Sequence, residues 1–174
     1  MASGGVRTPD AWILAVDPGL KALGWATCHT RRGWGPCGVL SAPDLRGMSK
    51  KVARLLQRLP RSRIRHVDVF VCEELPILSR SVAMTLQATA GIWMGALGMD
   101  GRLTTNTLML PVTPQTWAKF SGCSKLRGVE RKAAAVEFAR MLNPMAIEAN
   151  SDCADAIVMA AYAADNLVGD PDPG

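Results

Sequence analysis

Hydrophobic positions along this chain fall into two kinds of run. "WILAV" (12–16), "GWATCHT" (24–30), "GPCGVL" (35–40), "VDVFVCE" (67–73) and "LMLPV" (108–112) are short and bounded by turn-forming or charged residues, so they predict strands. The second and third are joined across "RRG" (31–33), which predicts a hairpin turn. The run at 67–73 is apolar enough to predict a strand buried on both faces. Between the strands the period changes. Met48, Val52, Leu55, Leu56 and Leu59 recur at helical spacing, with basic residues opposite them, until Pro60 ends the pattern. Val82, Leu86, Ala90, Trp93 and Leu97 form one stripe of a long helix over 79–98. Gly91, Gly95 and Gly98 lower the propensity of that helix but allow close packing. "ERKAAAVEFARML" (130–142) predicts a helix ending at Asn143 and Pro144, and "DCADAIVMAAYAADNL" (152–167) predicts a final one. Three early strands, then strands alternating with helices, predict an α/β fold with a mixed central sheet flanked by helices.

There is no internal repeat and no low-complexity stretch. Residues 1–10 and 169–174 predict flexible ends, which leaves a single domain over 11–168. A length of 174 residues fits one domain, and 48% hydrophobic residues with 20% charged are too apolar for a disordered chain. No window is long and apolar enough for a membrane span, and no charged–apolar–small leader opens the chain, so neither span nor signal peptide is expected. Cys28, Cys37, Cys72, Cys123 and Cys153 make no CxxC pair. With His29 and His66 as the only histidines, a zinc site of normal spacing cannot be written, and reduced thiols are expected.

Charge changes the picture. The net charge is +5, and it is unevenly placed. "SKKVARLLQRLPRSRIR" (49–65) carries Lys50, Lys51, Arg54, Arg58, Arg61, Arg63 and Arg65 and no acid. Lys119, Lys125, Arg127, Arg131 and Lys132 form a second cluster diluted only by Glu130. Either run alone is explained by a solvated helix face. Two of them beside an acidic site point to nucleic acid.

The acids stand at the ends of elements. Asp17 follows the first strand, Glu73 ends the strand at 67–73, and Asp152 and Asp155 lie three apart on one face of the last helix. Each has a plain structural explanation. Asp152 and Asp155 suit a helix N-terminus behind a Ser151 cap. Glu73 could be the polar end of a strand, with Glu74 beside it as a competitor, although Glu73 alternates with Val69 and Val71 on one face. Asp17 is harder to explain away, because Pro18 removes a backbone donor while Gly19 and Gly24 let the chain turn tightly and approach a ligand. Central strands of α/β sheets deliver their ends to one edge. Four carboxylates meeting there would repel unless cations compensate, and two Mg²⁺ ions sharing Asp17 would do so.

"AVDPGLKALGWA", "VFVCEE" and "SDCADAIVMAAYA" resemble, in order and spacing, the three acidic motifs of the RuvC-type Holliday junction resolvases. "SVAMTLQATAGIWMGAL" fits the intervening helix, and "VTPQTWAKFSG" (112–122) is similar to the phage branch of that family. The resemblance spans roughly 12–165. It implies a ribonuclease H-like fold, a homodimer acting on four-way DNA junctions, and dependence on Mg²⁺ or Mn²⁺, with two ions per active site. Asp17, Glu73, Asp152 and Asp155 would be the metal-binding, catalytic carboxylates. Among the basic residues near the start of the penultimate helix, Lys132 is favoured over Arg127 and Arg131 as the catalytic cation. Lys119, Lys125, Arg127, Arg131, Lys132 and Arg80 would contact nucleic acid. No small-molecule cofactor and no membrane are implied, and the location would be cytoplasmic (that of a host, if phage-encoded). One departure is "LPIL" (75–78), where bacterial members commonly carry an aromatic residue that meets unpaired junction bases.

The implied reaction is metal-assisted phosphodiester hydrolysis. An actin-like nucleotide kinase also opens with Asp-x-Gly after a strand, but it needs two duplicated halves and a second Gly-rich loop that this chain lacks. A non-cleaving junction-binding protein, or a nuclease acting on RNA–DNA hybrid or flaps, remains as the alternative.

Overall fold

The computed structural model describes residues 10–19, 21–61, 64–74, 80–144, 146 and 150–168, with the backbone alone at 80–83, 85, 86 and 168. The ends assigned to 1–10 and 169–174 lie outside the described residues except for Asp10. Strands β1 (Trp12–Asp17), β2 (Ala22–His29) and β3 (Gly33–Ser41) form an antiparallel meander. Helix α1 (Leu45–Arg58) then leads to β4 (Val67–Glu73), which pairs parallel to β1. Helix α2 (Arg80–Met99) leads to β5 (Leu103–Val112), parallel to β4. Helices α3 (Pro114–Phe120), α4 (Gly128–Leu142) and α5 (Ser151–Val168) complete the chain. The sheet order is β3-β2-β1-β4-β5, the mixed arrangement that the pattern predicts.

Two cores hold the layers together. On one face Leu14, Val16, Leu23 and Phe70 pack with Met48, Val52 and Leu56 of α1 and with Trp93 and Leu97 of α2. The α1 contacts recur every fourth residue, and Asp44 starts the helix by accepting a hydrogen bond from the Gly47 N–H. On the other face Ile13, Ala15, Val69 and Val71 pack against Ala154, Ile157, Val158 and Ala160 of α5. Alanines dominate this side of α5, so the helix lies close to the sheet.

Three details depart from the sequence reading. The last strand begins at Leu103 rather than 108. It is an edge strand, so residues 103–107 need no apolar alternation, and Thr107 Oγ1 donates to the Val67 carbonyl at 2.8 Å beside an irregularity in pairing. Helix α3 was not expected, although Thr113 as cap and Pro114 in the first turn are its ordinary start signals. The cap of α5 is Asn150, not Ser151: Asn150 Oδ1 accepts from the Cys153 N–H at 3.0 Å.

Candidate active site

Asp17 and Glu73 are the last residues of two parallel neighbouring strands, so the sheet delivers both to the same edge. Asp17 continues the alternation of Ile13 and Ala15, and Glu73 that of Val69 and Val71; both side chains therefore fall on the face covered by α5. Gly24 pairs directly with Asp17 in β2. A Cβ at Gly24 would lie 1.8 Å from the Asp152 carbonyl oxygen and 2.9 Å from the Cys153 nitrogen. The glycine that the sequence assigns to a turn or ligand approach thus admits the first turn of α5 onto the strand instead. That contact brings Asp152 and Asp155 to the edge where Asp17 and Glu73 end.

The electrostatics record the crowding. Burial holds the Asp17 carboxyl well above its usual range, and the charges of Glu73, Asp155 and Asp152, with a side-chain hydrogen bond to Glu73, push the same way. Burial also raises Glu73, opposed by the Trp117 N–H, the Arg131 charge and the hydrogen bond with Asp17. Burial and then Glu73 push Asp155 up to about 7. Asp155 Oδ1 is buried and has no hydrogen-bond partner among the described residues. An orphaned buried carboxylate oxygen is costly unless something positive reaches it.

Among the described residues, no three acidic, histidine or cysteine side chains close on one point as a finished ion cage would. The donor set itself fits a hard divalent cation, being all oxygen, multiply anionic and possessed of one unsatisfied oxygen.

Glu74 is exposed beyond the end of β4, its N–H given to the Val112 carbonyl at 2.8 Å. Lys119, Lys125, Arg127 and Lys132 are exposed, on and between α3 and α4. Arg131 and Lys132 both act on Asp155, each lowering the pKa that burial raises. The side chain of Arg80 and the stretch 75–78 lie outside the described residues. Helix α1, whose basic residues Lys50, Lys51, Arg54 and Arg58 are exposed, packs on the opposite face of the sheet from α5. Trp117 was not singled out from sequence. It is 1% exposed, its Nε1 donates to Glu73 Oε1 at 2.9 Å, and the Arg131 guanidinium lies 5.5 Å from its ring centroid. The start signals of α3, which place Trp117 one turn after Thr113, were the available clue.

No protein-family model matches the sequence, and no curated protein does. Solved structures do match. RuvC of T. thermophilus in complex with a Holliday junction substrate superposes with TM-score 0.63 at 15% identity, covering 91% of this chain and 96% of that one. A second Thermus thermophilus RuvC structure gives 0.60 at 15% identity with the same coverage. The yeast mitochondrial Holliday junction resolvase Ydc2 gives 0.54 at 12% identity, covering 91% of this chain and 80% of that one. The likeness runs through nearly the whole chain and establishes a ribonuclease H-like fold.

Proposed function

We propose that this protein is a divalent-metal-dependent endonuclease that resolves four-way DNA junctions by paired nicking. One observation carries the reading: β1, β4 and α5 bring Asp17, Glu73, Asp152 and Asp155 to one sheet edge, with Asp155 Oδ1 buried and unpartnered. The resolvases of the same fold, one of them bound to a junction, support the substrate class.

Asp17, Glu73, Asp152 and Asp155 would hold two Mg²⁺ or Mn²⁺ ions. When bound, such a pair lowers the pKa of a water and neutralises the leaving 3′ oxygen. The four acids would supply the negative field that retains the cations, and with a metal-activated water no protein nucleophile is required. Lys132 is proposed as the catalytic cation. Lys119, Lys125, Arg127, Arg131 and Arg80 neutralise phosphates without reading sequence, so binding falls steeply with salt. A two-fold dimer sets two such sites on two strands of a pseudo-symmetric junction, and paired nicking follows from that symmetry.

The test incubates purified protein with labelled four-way, three-way, flap, linear and RNA–DNA hybrid substrates, with and without Mg²⁺. Mg²⁺-dependent symmetric nicks in the four-way junction are expected. Comparable cutting of linear duplex removes the resolvase reading, and preferential cutting of hybrid or flap reassigns the substrate. Asp17→Asn should abolish cutting yet retain junction binding, since it removes one negative charge facing phosphate.

A further inference from the structure

Trp117 meets the site in two ways. Helix α3 starts where β5 ends, and Val112, the last residue of β5, pairs with Glu73. Thr113 caps the helix, its Oγ1 accepting from the Thr116 N–H, so Trp117 comes round one turn later on the side facing Glu73. Its indole N–H then reaches Glu73 Oε1 at 2.9 Å while its ring face lies under the Arg131 guanidinium of α4. The ring has no freedom to do otherwise, since it is 1% exposed and packed with Ala118, Ala135 and Ala139.

A buried tryptophan needs one partner for its N–H, and a backbone carbonyl would serve. Here the partner is a carboxylate at the acidic edge, and the same ring carries the half-buried arginine of the second basic cluster. Edge and face thus fix an anion and a cation relative to each other through one rigid group. Removing the N–H leaves Glu73 Oε1 without that donor, so the carboxylate is oriented by its hydrogen bond with Asp17 and no longer by the indole.

We infer that Trp117 is a positioning residue for the metal-binding acids: its N–H orients the Glu73 carboxylate for the cation, and its ring face holds Arg131 beside the site to meet phosphate. The inference rests on the nuclease reading above. Outer partners of this kind characteristically change metal affinity or activity about 10–100-fold when lost.

The experiment replaces the N–H and spares the ring. Trp117→Phe is compared with a protein carrying benzothienylalanine at 117, whose sulfur takes the place of the N–H in a ring of the same size; the latter keeps the test open should the smaller Phe fail to fold. Mn²⁺ binding by calorimetry, junction binding in EDTA, and cleavage against Mg²⁺ concentration are read on each. The expected result is Mn²⁺ affinity weaker by about tenfold, with junction binding within about twofold of the parent, and cleavage lost at limiting Mg²⁺ but recovered at saturation. Arg131→Gln should do the reverse, weakening junction binding without weakening Mn²⁺ affinity, since it removes a positive charge from beside Glu73 and Asp155. A benzothienylalanine protein that binds Mn²⁺ as tightly as the parent overturns the inference. A parent protein that neither binds Mn²⁺ nor cuts overturns the nuclease reading instead, so the two failures are told apart.

Discussion

The Asp152 carbonyl oxygen stands where a side chain on Gly24 would have to be, 1.8 Å from the position of its Cβ. Neither group can yield cheaply, because one is strand backbone paired to Asp17 and the other is the first turn of a helix packed along the sheet. Gly24→Ala should therefore push the start of α5 off β2 and carry Asp152 and Asp155 away from Asp17. Overpacking of this kind costs about 1–3 kcal/mol, and cleavage should fall by about 100-fold or more. Thermal melting and cleavage rates check both; a Gly24→Ala protein with parental cutting would show that the contact does not set the site.

Asp155 gives a pH dependence with a definite sign. Its carboxyl is held up to about 7 in the fold, against an ordinary 3.8. Between those values the folded protein keeps a proton that the unfolded chain has released, so stability falls as pH rises; below the lower value the group contributes nothing, and above the upper one the penalty is complete. Asp17, also raised, acts in the same direction. In EDTA the melting temperature should therefore be higher near pH 5 than at pH 8. Asp155→Asn should flatten the slope and raise the pH 8 midpoint by roughly 3–8 °C, since it removes a buried charge whose Oδ1 has no hydrogen-bond partner among the described residues. It should also abolish cutting. Added Mg²⁺ should raise the parent at pH 8 and leave Asp155→Asn largely unmoved. A parent midpoint that climbs from pH 5 to pH 8 in EDTA sinks this account.

Stability away from the site has its own centre. Arg102 is 2% exposed, and its guanidinium donates to the carbonyls of Leu56, Leu59 and Ile64 at 2.8, 2.7 and 3.0 Å and to Asp100. It satisfies carbonyls that the end of α1 leaves free and ties them to the start of β5. Arg102→Met keeps the stem but orphans those carbonyls and leaves Asp100 to Arg61 alone among the described cations, and should cost about 3–5 kcal/mol. Cutting per folded molecule should be unchanged, because Arg102 packs on the α1 side of the sheet. Denaturant melts and rates measured well below the transition separate the two; loss of rate without loss of stability would contradict the assignment.

The strands that build the site were legible because most of their residues are hidden: 12–16 is apolar throughout and 67–72 is apolar apart from Asp68, so each run ends where its acid appears. The parity of Glu73 with Val69 and Val71 was also readable, and in the fold Glu74 lies exposed past the strand end. Residues 103–107 were not readable as strand, because an edge position removes the apolar pattern that marks one. The role of Gly24 was misassigned for a related reason. A glycine reports that something comes close, and only the fold says that the neighbour is α5. For Trp117 the start signals of α3 marked the helix but not the role, since its partners Glu73 and Arg131 are distant in sequence and meet it only when α3 folds back.

The proposed homodimer would be built on α2. Gly91 and Gly95 have open space where their side chains would be, and with Ala53, Ser49 and Gln57 of α1 they line a groove of about 460 Å³ that runs to Ile92, Ala96 and Met99. Met99 is 93% exposed and Met84 60% exposed on the same helix. Within this chain the glycines do not serve the close packing that their spacing suggests; their backbone is free to receive another. The groove lies on the face opposite α5, so filling it leaves the acidic edge open. Methionine adapts to irregular contacts, and a helix of a second copy set across the glycines would bury both methionines by two-fold symmetry. The protein should therefore sediment at about twice the chain mass at micromolar concentration. Gly95→Arg, which puts a long cation into the groove with no clash inside its own chain, should shift it toward monomer with the melting temperature changed little. Paired cutting of both strands within one binding event should then fall by more than single nicking does. A wild-type protein that sediments as a monomer and still cuts both strands in one event would rule out the dimer as the cause of paired nicking.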